Sequence, residues 1–131
     1  MAPRAVLIAA AARDPFVSEL LQLLQQEGRE VLVAHDADDA YETIRAKHPA
    51  LVVLDTVLRG GDGFSLCRRL KSDPATASIP VLCFSVLMAR DRCLEAGADD
   101  FMLKPVEEEA LMARIRETLD DRVRRLPRRA K

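Results

Sequence analysis

The chain has 131 residues, with 20 Lys and Arg against 21 Asp and Glu, for a formal net charge of −1. That balance excludes the strong positive field of a nucleic-acid binder, and no apolar run is long enough to span a bilayer. The length and the 49% hydrophobic content suit one domain with a core large enough to be stable alone.

Taken in chain order, strand-like apolar runs alternate with helical patterns. Val6-Leu7-Ile8 reads as a strand. A helix follows from about Pro15 to Gln26, with Phe16, Leu20, Leu23 and Leu24 on one face, Asp14 ahead of it and Pro15 in its first turn. Gly28 stops it, and Glu30 to Ala34 is a second strand. Asp36 caps a helix carrying Ala40, Ile44 and Lys47, which ends before Pro49. Leu51-Val52-Val53-Leu54-Asp55 is a β-branched, leucine-rich run of the kind buried on both faces of a parallel sheet. Thr56 to Gly63 is rich in turn residues and reads as a loop, and Gly63 to Asp73 as a helix with Phe64, Cys67 and Leu70 inward. Pro80 to Ser85 is the fourth strand, Leu87 to Ala96 a helix ended by Gly97, and Asp100 to Leu103 the fifth strand. Glu107 to about Arg124 is the last helix, its Leu111, Ile115 and Leu119 spaced by four, with Met112, Arg114 and Arg116 around that stripe as candidates for a partly exposed patch.

Five strand–helix units predict an α/β domain, with helices on both faces of a doubly wound, five-stranded parallel sheet. The domain is expected over residues 1–121, followed by a basic tail over 122–131. The tail's arginines suit a helix end and a solvated extension better than a nucleic-acid or lipid contact. The N-terminus lacks a secretory pattern, and the 3 cysteines fit no metal or disulfide framework, so a reduced cytoplasmic setting is expected.

Chemistry concentrates at three strand ends. Asp55 closes the third strand, Ser85 the fourth, and Lys104 follows the fifth. Carboxyl ends of parallel strands face one edge of the sheet, where ligands of open α/β folds collect. A carboxylate, a hydroxyl and an ammonium meeting there suit an anion formed on Asp55, with Lys104 neutralising charge and Ser85 donating a hydrogen bond. Each residue alone has a plainer explanation as a cap or a solvated loop residue; the three together argue against coincidence.

These residues, with Gly60-Gly61-Asp62-Gly63-Phe64, Glu95-Ala96-Gly97-Ala98-Asp99-Asp100-Phe101 and Lys104-Pro105, resemble the receiver domain of two-component response regulators from about Val6 to Leu119. The resemblance implies a flavodoxin-like sheet of strand order 2-1-3-4-5. It implies Asp55 as phosphoacceptor, Ser85 and Lys104 as phosphoryl contacts, Phe101 as the switch aromatic and a cis bond before Pro105. It also implies protein partners: a histidine kinase, a phosphotransfer protein or an effector, with self-association through the face of the fourth helix, fifth strand and fifth helix. The expected role is signalling in a phosphorelay, not enzymatic turnover.

The departures bear on the metal. The family ends its first strand with an acidic pair that holds Mg²⁺. Here that stretch reads Ala9-Ala10-Ala11-Ala12-Arg13-Asp14, and neither alignment supplies the pair. Asp14 matches the helix cap, though a loop shift could turn it inward. Asp55 with the Val57 carbonyl alone is a weak Mg²⁺ site. Arg13, if it points in, would partly replace the ion's charge; if out, it is one more surface cation. Val86 could narrow access to Asp55, and the stretch from Ser85 to Lys104 is short for the family. Three readings follow: a degenerate pseudo-receiver working through protein contacts, a receiver phosphorylated on Asp55 with weak metal dependence, or a small flavodoxin-like enzyme or nucleotide binder. The last lacks a phosphate-cradling glycine loop after the first strand.

Overall fold

A computed structural model describes residues 5–86, 88–104 and 107–124. Strands β1 (Val6–Ala9), β2 (Val31–Ala34), β3 (Leu51–Asp55), β6 (Val81–Ser85) and β7 (Asp100–Leu103) form the parallel sheet, in the order β2-β1-β3-β6-β7. Counting only these strands in chain order, this is the expected 2-1-3-4-5. Strands β1, β3 and β6 are buried along their whole length, which is why they read as unbroken apolar runs. The edge strands β2 and β7 are only partly covered.

Alternation along the strands sorts the side chains into two cores. Val6, Ile8, Val53, Leu82 and Phe84 face helices α1 (Pro15–Gln26) and α5 (Glu108–Arg124), where Leu20, Leu24, Leu111, Ile115 and Leu119 complete the layer. Leu7, Ala9, Val52, Leu54 and Cys83 face α2 (Ala37–Lys47), α3 (Gly63–Ser72) and α4 (Arg90–Glu95), meeting Ile44, Leu70 and Cys93. Each fully buried Leu, Ile or Val contributes on the order of 1.5–3 kcal/mol relative to exposure.

Two elements differ from expectation. The loop after β3 is a small antiparallel hairpin, β4 (Val57–Leu58) with β5 (Gly61–Asp62). Its turn uses Gly60 at φ 72° and presses against Asp36, whose carboxylate would lie 2.8 Å from an added Cβ. Helix α4 starts only at Arg90, behind Ala89, which offers no side-chain cap; of the expected start, Leu87 lies outside the described residues. Helix α5 runs to Arg124, as its spacing predicts, and takes in residues 122–124, which also open the expected tail; the rest of the tail and Pro105, with its expected cis bond, lie outside the described residues.

The cysteines Cys67, Cys83 and Cys93 are buried free thiols facing the α3–α4 core. A bond to Cys67 and burial push the Cys83 thiol up, so it holds no thiolate ready for chemistry.

The α2–α3 seam is fastened by Asp73, which accepts from Tyr41 Oη at 2.6 Å, Arg45 Nε at 2.8 Å and the Ala75 N–H at 2.9 Å. The Tyr41 hydroxyl, then the Ala75 amide, then Arg45 hold its carboxyl down at about 2, from an ordinary 3.8. A lowered carboxylate gives stability that is present above the ordinary value and lost as pH falls through the folded one. Asp73→Asn should therefore flatten the loss of stability between about pH 4 and pH 2, read from urea midpoints; an unchanged acid slope would contradict the assignment.

Candidate functional site

The site lies beyond the carboxyl ends of β1, β3 and β7. Asp55 follows Val53 on the α1–α5 face, and its side chain is almost fully covered. Its Oδ1 accepts the Val57 N–H at 3.1 Å, so the first residue of the hairpin orients the carboxylate. Its Oδ2 accepts from Lys104 Nζ at 2.9 Å. The Lys104 main chain is fixed by its own N–H, which donates to the Ser85 carbonyl at 2.7 Å. Its ammonium stands 4.7 Å from the centroid of the Phe84 ring, a cation–π contact beneath the ion pair.

Asp14 completes the arrangement. It is the N-cap of α1, with Oδ1 accepting from the Phe16 N–H at 2.9 Å. The same carboxylate turns its Oδ2 to Lys104 Nζ at 2.7 Å. One carboxylate thus performs both roles that the sequence left as alternatives, cap and pocket acid. Lys104 bridges Asp14 and Asp55 with all three side chains 16% exposed or less. Burial works to lower the Lys104 pKa, but the hydrogen bonds and charges of Asp14 and Asp55 outweigh it and raise it.

The other expected residues sit differently. Arg13 is exposed and makes no ion pair among the described residues; the pocket cation is Lys104. Ala10 is buried in the strand ladder, its N–H donating to Ala34, and Ala11 offers only a methyl group. Val57 and Val86 are both exposed, 56% and 66%. Ser85 is wholly buried, on the α4 face of the sheet, and its Oγ lies 2.6 Å from Thr56 Oγ1. The expected convergence therefore holds for carboxylate and ammonium, while alternation sends the hydroxyl to the opposite face. Phe101 is turned in, 7% exposed, beneath a groove of about 450 Å³ that Met88, Ala89, Arg92 and Leu103 also line. Arg92 reaches from this groove over the Phe64 ring, 3.9 Å from its centroid.

Two residues on α5 read from sequence as surface candidates are not on that face. Met112 is buried, and Arg116 pairs with Glu27 at the end of α1. Arg114 alone reaches β7, where it pairs with Asp100.

The carboxylates of Asp14 and Asp55 are the donors this pocket offers a metal. Among the described residues no cluster of three His, Cys, Asp or Glu is arranged to hold one. Mg²⁺ commonly uses one or two carboxylates with water and phosphate oxygens, so the donor chemistry fits that ion. The two acids also share Lys104, which an incoming cation must displace or tolerate.

A doubly wound parallel sheet with an aspartate and a lysine meeting over its carboxyl edge defines a receiver-type domain. The family model described as the response regulator receiver domain matches residues 12–116, and the chain belongs to that family. It is 42% identical over 96 residues to the response regulator PleD of Caulobacter vibrioides, covering 71% of this chain and 21% of that protein. It is 37% identical over 122 residues to the DNA-binding dual master transcriptional regulator RpaA of Synechocystis, covering 90% of this chain and 50% of that one. The chain thus spans half or less of these relatives' length. Among solved structures it is similar to the BeF3-activated receiver domain of Klebsiella pneumoniae RstA, at 32% identity, TM-score 0.78 and coverage of 88% and 98%. A CheY-like receiver domain from Methanospirillum hungatei shares the fold at TM-score 0.84 and 23% identity, covering 95% and 99%. No helix among the described residues is long and apolar enough to cross a membrane.

Proposed function

We propose that this receiver domain accepts a phosphoryl group on Asp55 in a two-component relay, with a metal site weaker than the family's usual one. The observation that carries the reading is Asp14 Oδ2 turned onto Lys104 Nζ at 2.7 Å, beside Asp55. It returns to the pocket one of the two carboxylates that Ala10 and Ala11 lack. In this reading an Asp55 oxygen attacks a donor's phosphorus as the donor's own P–N or P–O bond breaks and that nitrogen or oxygen leaves with the bonding pair, Lys104 neutralises charge on the transferred oxygens, and Asp14, Asp55 and the Val57 carbonyl would hold Mg²⁺. When bound, the ion supplies further neutralisation of the developing charge. Partners are a histidine kinase or phosphotransfer protein as donor and an effector downstream, acting in the cytoplasm. The α4–β7 groove over Phe101 is the surface offered to an effector or a second copy.

A second reading, a pseudo-receiver that signals through protein contacts without phosphate, is favoured by the alanines at positions 10 and 11 and by the Lys104 bridge already filling the pocket. One experiment separates them. Acetyl phosphate with millimolar Mg²⁺ should add one phosphoryl mass to the wild type and none to Asp55→Asn, with half-saturation by Mg²⁺ displaced to concentrations well above those of RstA-like receivers. Absence of label at any Mg²⁺ concentration would establish the second reading instead.

A further inference from the structure

The residue after Asp55 faces away from the pocket and touches the hydroxyl of Ser85, which the receiver resemblance implies as a phosphoryl contact. Thr56 is 2% exposed and faces α4, opposite to Asp55. Its carbonyl accepts the Gly63 N–H at 2.8 Å, so the closing of the hairpin clamps its main chain. As a β-branched residue it has little freedom left at χ1. Its hydroxyl meets that of Ser85 at 2.6 Å, in a site that excludes water from both. Ser85 is the last residue of β6, one position beyond the Asp55–Phe84 register pair.

We propose that Thr56 is a positioning residue that latches the Ser85 hydroxyl on the α4 face and so sets how readily Ser85 reaches an anion on Asp55. The proposal rests on Asp55 as the phosphoacceptor. In the latched position the Ser85 hydroxyl bonds that of Thr56, and turning toward a phosphoryl gives that bond up. Removing the Thr56 hydroxyl raises the energy of the latched state and leaves the phosphoryl-bound state untouched. The equilibrium then shifts by the differential bond alone.

The probe is beryllofluoride, an acyl-phosphate mimic, titrated with Mg²⁺ onto the full chain and followed by fluorine NMR. Thr56→Val keeps the shape and deletes the hydroxyl. It should bind beryllofluoride about three- to tenfold more tightly than wild type, the range that one net hydrogen bond supplies. Thr56→Ser should return the affinity to near wild type. In a Ser85→Ala background, Thr56→Val should change nothing, since the group it restrains is gone. Unchanged or weaker binding by Thr56→Val overturns the latch, as does tightening that persists without the Ser85 hydroxyl. Urea unfolding of wild type, Thr56→Val, Ser85→Ala and the double variant without ligand tests the bond itself: the two substitutions should be non-additive, and additivity overturns the latch whatever beryllofluoride does. If wild type and Asp55→Asn are equally blind to beryllofluoride, the phosphoacceptor reading fails, and the latch fails with it as a control on phosphoryl binding.

Discussion

Gly63→Ala should cost the domain about 3 kcal/mol, the upper end of what overpacking does, and should disturb Asp55 at the same time. Helix propensity alone points the other way, since alanine is favoured over glycine by about 1 kcal/mol inside a helix. Sterics decide the sign. A Cβ on Gly63 would stand 2.4 Å from the Asp55 carbonyl oxygen and 2.7 Å from the Thr56 Cα. Both neighbours are main chain at the end of a fully buried strand, so neither can rotate aside. Relief must come from lifting α3 and the hairpin, which stretches the Gly63–Thr56 hydrogen bond of 2.8 Å. The Val57 N–H that orients the Asp55 carboxylate moves with the hairpin. Urea unfolding should show the lower midpoint, and phosphoryl labelling should fall with it. Stability within about 0.5 kcal/mol of wild type, the range of an ordinary surface change, would contradict the packing argument.

How much of this was legible in the sequence depends on what kind of information each feature needs. The sheet was, because Leu51 to Leu54 and Val81 to Phe84 are buried on both faces and leave unbroken apolar runs. Asp55 and Lys104 were, because strand-end position is a property of the chain order. The hairpin was not: two-residue strands carry no periodicity, and Val57-Leu58 sits among turn residues. Asp14 was readable as a cap from its place before Pro15, but its second oxygen turns to Lys104 through a loop conformation that sequence does not encode locally. Ser85 was assigned to the pocket from its strand end and from the receiver resemblance; counting alternation from Asp55 and Phe84 across the register would have placed its hydroxyl on the other face in this structure, and Thr56 beside it. Arg116 went astray for a tertiary reason, since its partner Glu27 lies 89 residues away on α1.

Lys104→Met should give the other large effect, and a reversed response to pH. In the wild type the raised Lys104 pKa means that its contribution is complete below the ordinary 10.5 and lost as pH rises through the higher folded value. Removing the ammonium leaves Asp14 and Asp55 facing each other, both largely covered and without their cation. Breaking such a pair by deleting one partner costs about 3–5 kcal/mol when fully buried, so about 2–3 kcal/mol is expected for this partly open pocket at neutral pH. The folded variant then takes up a proton more readily than its unfolded chain. Its stability should accordingly rise as pH is lowered from about 7 toward 5, where the wild type stays level. A divalent cation offers the same relief: millimolar Mg²⁺ should stabilise Lys104→Met more than wild type, because no ammonium competes for the two carboxylates. Wild-type stability at neutral pH with no added response to acid or Mg²⁺ would mean that the two carboxylates do not share this lysine in solution, and would remove the support that Asp14 gives to the phosphoacceptor reading.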